Sequence, residues 1–338
     1  MRWARIPFFF YDRDGPMLTY IVRRILYSIP VLFFSTFLSF IFVAYAGNPL
    51  AQLRSNPRFS EQTVQNMTHQ LHLDMPVVER YFLWLQDVFT HKLGNSLYTG
   101  QALWPQITRT MGHTAQFIII SEVLALILGV SIGIYSAIRQ YSVFDYVFTS
   151  ISFLGFAMPT FWLALLLQIA FTDIFLHYNV RIFYTSGLNS LPGGPAWSWD
   201  RLQHLALPIA TLCIISFALY SRYMRASMLD VINSDYVRTA RAKGVSEWRV
   251  IMRHVFRNAL IPITTVAALN FGALLGGAIV TETIFSLDGI GFFFIQSLNT
   301  LDLYAVMAYL LITAIAVVVF NLIADIAYGF LDPRIRYD

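Results

Sequence analysis

Six runs of about twenty apolar residues, nearly free of charge, limit what this chain can fold into more than any other feature: 25–46, 117–138, 147–176, 205–220, 264–284 and 304–330. A helix rising about 1.5 Å per residue needs about twenty residues to cross a hydrocarbon layer of about 30 Å, so each run suits a transmembrane helix. Composition separates this reading from a large soluble core. The 338 residues are 57% hydrophobic and 12% charged, with a mean hydropathy of +0.59, whereas soluble domains carry about 25% charge. In lipid every backbone polar group must be satisfied within its own element, so the expectation is an all-α integral membrane protein with six transmembrane helices. The fourth run is short and holds Pro208, so its helix starts earlier or tilts.

Lys and Arg fall on alternate connecting segments. With the amino terminus inside, the inner segments hold sixteen of the 23, including eight from Arg222 to Arg257. The outer segments keep Arg54, Arg58, Arg80, Lys92, Arg109, Arg181 and Arg201. The positive-inside rule thus places both termini and the 234–262 insert in the cytoplasm. The net charge of +4 is an orientation bias and not a nucleic-acid footprint. Arg23 and Arg24 before an apolar run ending Ala44-Tyr45-Ala46 imitate a secretory signal, but the run is longer than a signal core and reads as an uncleaved first span.

Residues 47–110 form the only sizeable polar stretch on the outer side. Pro76 suits the first turn of a helix through about Phe89, with Val77, Tyr81, Trp84, Leu85 and Val88 on one side. Such a helix lies on the membrane surface or caps the outer mouth of a pore. His69 and His72, at i and i+3, are either solvated loop residues or a metal pair. No Cys accompanies them and Asp74 completes no known ligand set, so no metal site is assigned. The outer loop 177–203 is rich in Gly, Pro and Trp, and Cys213 reads as a small packing residue.

Within the spans, Glu122 is either a hydrogen-bonded structural carboxylate or a pathway residue. Pro159, between Met158 and Trp162, bends the third span, as a packing kink or near a translocation path. Gly272, Gly276 and Gly277 permit close helix approach in the fifth. Glu282, followed by Gly289 and Gly291, suggests a chain that turns back at the outer face. Its carboxylate faces either a gate or the backbone N–H groups of the turn. Asn321 and Asp325, one turn apart, suit a polar contact between helices.

The polar insert from Ser234 to Pro262 punctuates the chain. Asn233 or Ser234 can cap a short helix whose first turn carries Asp235, and Gly244 suits its left-handed end. Ser246 and Glu247 open a second helix that Pro262 ends or kinks. Tyr236, Ala240 and Lys243 share a face of the first, while Ala242 and Gly244 leave its end almost bare, open to close approach by another protein. Arg238, Arg241 and Lys243 serve either as inner-face charges or as partner contacts.

This insert resembles the cytoplasmic loop of ABC-importer permeases. Arg238, Thr239 and Ala240 stand at the Glu-Ala-Ala positions of the general motif and Gly244 at its glycine, but His254, Phe256 and Arg257 replace its Ile, Leu and Pro. The dipeptide/oligopeptide branch fits better, through Asp235 to Gly244, Arg257 to Pro262, Thr281 to Gly291 and Asp332 to Arg336. Leu71 to Pro76, Leu93 to Ser96 and the Pro159 to Trp162 pattern are also similar to that branch. The resemblance implies the type I importer permease fold in a cell inner membrane. It divides the chain into a tail (1–20), a first transmembrane helix (21–46), an extracytoplasmic cap (47–110) and a five-helix transmembrane domain (111–338) with a coupling loop at 223–263. It further implies a second homologous permease, two ATPase subunits that bind the ATP, an extracytoplasmic binding protein, and dipeptides or oligopeptides as cargo, with nickel chelates, glutathione or haem as alternatives. Coupling would rest on Tyr236, Ala240, Arg241, Ala242, Lys243 and Gly244. The pathway and gate would rest on Met158, Pro159, Trp162, Glu282 and Phe285.

The chain has no Gly-x-x-x-x-Gly-Lys-Ser/Thr loop to cradle ATP, no His-Glu-x-x-His and no paired-Cys metal set, so no enzyme is expected and no cofactor of its own. An ion-coupled secondary transporter would want midplane acids and an inverted repeat. Glu122 is one candidate acid, but no repeat is found and the basic insert would be left unexplained.

Overall fold

Where the third apolar run meets Pro159, the helix stops. A proline forces the residue before it out of the helical region, and Met158 accordingly sits at φ −74°, ψ 127°, leaving α5 (Val143–Ala157) and α6 (Thr160–Tyr178) on either side of a two-residue joint. The computed structural model describes residues 17–47, 50, 60–70, 72–90, 93–275 and 278–331. The helices before this joint are α1 (Met17–Ala46), α2 (Glu61–Gln70), α3 (Val77–Thr90) and α4 (Leu103–Ile138). After it come α7 (Trp199–Ile232), α8 (Asp235–Ala242), α9 (Glu247–Arg249), a π-helical turn (Val250–Val255) and α10 (Phe256–Leu275). Last are α11 (Ile279–Ile284), α12 (Ile290–Asn299) and α13 (Leu303–Leu331). No strand occurs among the described residues.

Among the described residues five helices are long and apolar enough to cross a membrane, α1, α4, α6, α7 and α13, against six runs expected. The fifth run is not among those five. Its described residues fall in α10 and α11, and residues 276 and 277 between them lie outside the described residues. Pro262 neither ends nor divides α10, which runs through it. The fourth run proves to be the core of a 34-residue helix, α7. Its polar ends are helical because tertiary partners satisfy them: Arg201 Nε donates to Gln116 at 3.1 Å, and Arg222 stacks over Phe153 and Phe156. Arg225 forms a two-pronged pair with buried Asp145 at 2.7 and 2.8 Å.

Helices α4 and α7 cross in close contact. A β-carbon at Gly129 would lie 2.7 Å from that of Tyr220, and one at Gly133 2.6 Å from that of Met224. Gly129-x-x-x-Gly133 is thus a small-residue seam that lets the two backbones meet. The same five residues, Gly-Val-Ser-Ile-Gly, spell the string of a hydrolase nucleophile elbow. That elbow needs a strand-to-helix turn, and here the string lies inside one continuous helix.

Helix α3 buries Tyr81 and Trp84 as its apolar stripe requires, with Val77, Leu85 and Val88 packed around them. Tyr81 lies among Phe33, Phe37 and Phe40, with its hydroxyl 3.0 Å from that of Thr36, ten residues or about 15 Å from the end of α1. The helix therefore lies along the side of α1, where the aromatic cluster fixes it. Asp302 ties the following loop to α13. Its carboxylate accepts from Ser96 Oγ at 2.5 Å, from the Leu97 N–H at 3.1 Å, and from the Ala305 N–H at 3.1 Å as a helix cap.

Candidate functional site

Two sites stand at opposite ends of α7. At one end, α8 projects as a short knob. Its inner face, Val237 and Ala240, packs on Met224 and Met228 of α7 and on Val250 and Val255 of the π turn. Ala240 therefore anchors the knob, while Tyr236, Arg241, Ala242, Lys243 and Gly244 stay exposed. Gly244 has φ +75°, and the Val245 N–H reaches back to the Ala240 carbonyl at 3.3 Å, the 6→1 bond of a glycine helix stop. A β-carbon on Gly244 would meet nothing within 4 Å, so the site is open to a partner. Arg241 is committed within the chain, forked onto Glu247 at 2.7 and 3.1 Å, which clips α8 to α9. That guanidinium holds the Glu247 carboxyl below its ordinary range. Asn258 donates to the Tyr236 hydroxyl at 3.0 Å. Trp248, beside the knob and 72% exposed, was not singled out by periodicity because it belongs to no apolar stripe.

At the other end, α11 and α12 form a hairpin closed by Glu282, which is 0% exposed. Thr114 of α4 donates to its Oε1 at 2.6 Å, and the Phe292 N–H donates to Oε2 at 2.8 Å. Thr114 in turn accepts from the Ile290 N–H at 2.8 Å. The carboxylate thus occupies the first turn of α12, where unpaired N–H groups favour an anion. Of its two sequence readings, this geometry is the local cap. Gly289 is obligatory there, since a β-carbon would lie 2.5 Å from Glu282 Oε2 and 2.6 Å from Thr114 Oγ1. Phe285 is buried among Phe117, Ala164, Leu205 and Leu212, and its carbonyl accepts from the Gly187 N–H of the 179–198 loop at 2.8 Å. Gln168 of α6 ties the same loop to the hairpin, donating to the carbonyls of Thr185 at 2.9 Å and Ile284 at 3.1 Å.

Glu282 and Phe285 are therefore one unit, while Met158 and Pro159 belong to another. Pro159 precedes Gln168 by nine residues, about 14 Å along α6. Trp162, half-exposed, lies one turn past the joint.

Glu122 lies eight residues beyond Thr114, about 12 Å along α4. It is fully enclosed and accepts from Ser216 at 2.5 Å, from the Tyr220 hydroxyl, and from Asn270 Nδ2 at 3.2 Å. Those donors join α4, α7 and α10 in a polar clasp. His69 pairs with Asp74 at 2.8 Å, and His72 lies outside the helix at φ 53°. Among the described residues no group of three or more His, Cys, Asp or Glu could hold a metal. Gly276, Gly277 and the Asp332 to Arg336 segment lie outside the described residues, as does the side chain of Asp325.

Residues 129–337 match the family described as binding-protein-dependent transport system inner membrane component, and residues 17–118 match its N-terminal companion. The chain is 39% identical to the dipeptide transport system permease protein DppB of Alkalihalophilus pseudofirmus, over 95% of this chain and all of that one. It is 38% identical to the oligopeptide transport system permease protein AppB of Bacillus subtilis, with the same coverage. Among solved structures it resembles an amino acid ABC transporter (TM-score 0.51, 13% identity, 67% of this chain and 94% of that one). It also resembles the MetNI methionine ABC transporter in an inward-facing form (TM-score 0.50, 14% identity, 67% and 96%). At such identities these two share the fold alone. The glycine-ended knob and the hairpin thus sit on a known permease frame, and the chain belongs to the family of inner-membrane components of binding-protein-dependent transport systems.

Proposed function

We propose that this chain is one of two homologous but unlike permease subunits of an ATP-driven importer, and that its cargo is dipeptides or oligopeptides delivered by an extracytoplasmic binding protein. The observation that carries the coupling reading is the open, left-handed Gly244 at the tip of a knob whose other face is locked to α7. The peptide reading is supported by full-length relatives at 33–39% identity whose names specify dipeptide, di/tripeptide or oligopeptide transport. In this reading both termini and the knob are cytoplasmic, α5 with α6 makes one jointed crossing, and α10 makes another that the α11–α12 hairpin closes on the outer side.

The knob docks in a groove on an ATPase subunit, a helix-in-groove contact made through Tyr236, Ala242, Lys243 and Gly244, with Ala240 as its root. Closure of the two ATPases moves the knob. Helix α7, about 50 Å long, carries that motion as a lever through the Gly129–Gly133 seam and the Glu122 clasp to the Phe285 end. The hairpin moves as one closed piece and serves as the gate, and the Pro159 joint lets α6 bend beneath it.

Uptake of labelled dipeptides by cells expressing the assembled importer tests the whole reading. Gly244→Asn keeps the left-handed turn, whereas Gly244→Trp fills the docking space; the second should abolish both ATPase co-purification and uptake while the folded chain persists. Competition by glutathione, haem or a nickel chelate, with no competition by peptides, would replace the cargo assignment.

A further inference from the structure

The end of α1, the first turn of α3 and the turn between α12 and α13 enclose a cavity of about 410 Å³, within the size range of small-molecule sites. Its walls include Val43, Leu73, Leu298, Leu301 and Val306, and the one charged group lining it is Arg80. Arg80 is 6% exposed. Its side chain makes no hydrogen bond or ion pair among the described residues, and its Nε is enclosed without an acceptor. The Phe40 ring, 6.0 Å from its Cζ, offers no formal charge. A guanidinium buried in apolar surroundings without a counter-ion is strongly unfavourable, and five fixed donors suit a phosphate.

We propose that this cavity is a phospholipid site, in which Arg80 takes the headgroup phosphate of an anionic lipid and the apolar walls take the start of an acyl chain. Three features favour a lipid over a free anion. The lining is apolar apart from one cation. The site lies level with the last turn of α1 and the first turn of α13, where a bilayer places its headgroups. Tyr45, 78% exposed at the rim, is the residue type that settles at that level. Assignment to the outer leaflet rests on the orientation proposed above; the site itself does not.

The test uses the importer complex purified in detergent, with thermal unfolding followed against added phosphatidylglycerol, phosphatidylcholine or inorganic phosphate, and native mass spectrometry for retained lipid. The wild type should retain phospholipid and be stabilised by phosphatidylglycerol, with inorganic phosphate at equal concentration giving no shift. Arg80→Gln removes an unpaired charge and should fold; its affinity for phosphatidylglycerol should fall at least about tenfold. Ala44→Phe leaves Arg80 in place, crowds the acyl path, and should lower the affinity as well. Equal binding by wild type and Arg80→Gln, or undiminished binding by Ala44→Phe, would overturn the proposal, as would stabilisation by phosphate alone. None of these measurements depends on transport.

Discussion

The two ends of α7 are built in opposite ways. At the hairpin end one carboxylate, Glu282, gathers a threonine 168 residues away and the N–H of Phe292, and glycines clear the space it fills. At the knob end the polar side chains lie outside, the strongest local tie is the exposed Arg241–Glu247 fork, and the tip points into open space. A closed, self-satisfied hairpin can move only as a unit. An open knob leaves its tip bare, as the proposed docking requires. The difference teaches where each kind of mutation will register: in folding at the hairpin, in assembly at the knob.

The largest effect should come from Gly289→Val. Its side chain collides with Glu282 and Thr114, and about 3 kcal/mol or more of overpacking and lost capping should unfold the hairpin. Limited proteolysis and thermal unfolding in detergent would report it, and a wild-type profile would break the contrast. Glu282→Gln keeps the volume but puts a donor where a donor already points, and should cost about 2 kcal/mol in the same assay. Gly244→Asn should leave thermal stability within about 0.5 kcal/mol of wild type, because Asn tolerates the left-handed region. A destabilised Gly244→Asn would mean that the knob is no more open than the hairpin.

The smallest effect is a pH dependence at the Arg241–Glu247 clip. The fork lowers the Glu247 pKa below its ordinary 4.5, so the stabilisation is complete above that value and is lost as pH falls through the lowered one. For a pair this exposed it amounts to less than about 1 kcal/mol. Thermal unfolding from pH 7 to 3 should show a larger drop in the wild type than in Arg241→Gln.

The spans were legible in the sequence because the bilayer imposes a length and a polarity on each crossing. The α3 stripe was legible because Tyr81 and Trp84 recur at helical spacing. The true length of α7 was not: Arg201 and Arg225 look like membrane boundaries until Gln116 and Asp145, both more than 75 residues distant, are seen to satisfy them. Pro159 signalled a bend, and the chain went further and broke, since Met158 cannot remain helical before it. The Gly129–Gly133 seam carried a readable small-residue signal that hydropathy passes over. The hairpin's dependence on Thr114 carried none, because no local period encodes a contact across 168 residues. The π turn at Val250–Val255 likewise has no marker in the residues that form it.

The central claim is that the knob is completed by a separate ATPase, and one cross-linking measurement bears on it most directly. Gly244→Cys, placed in a Cys213→Ala background that removes the one native thiol, would be treated in membranes of the assembled importer with a short bifunctional thiol–amine reagent. The account predicts an adduct between this chain and the ATPase subunit. Reaction of that cysteine with no ATPase adduct, in an importer still active in uptake, would contradict it.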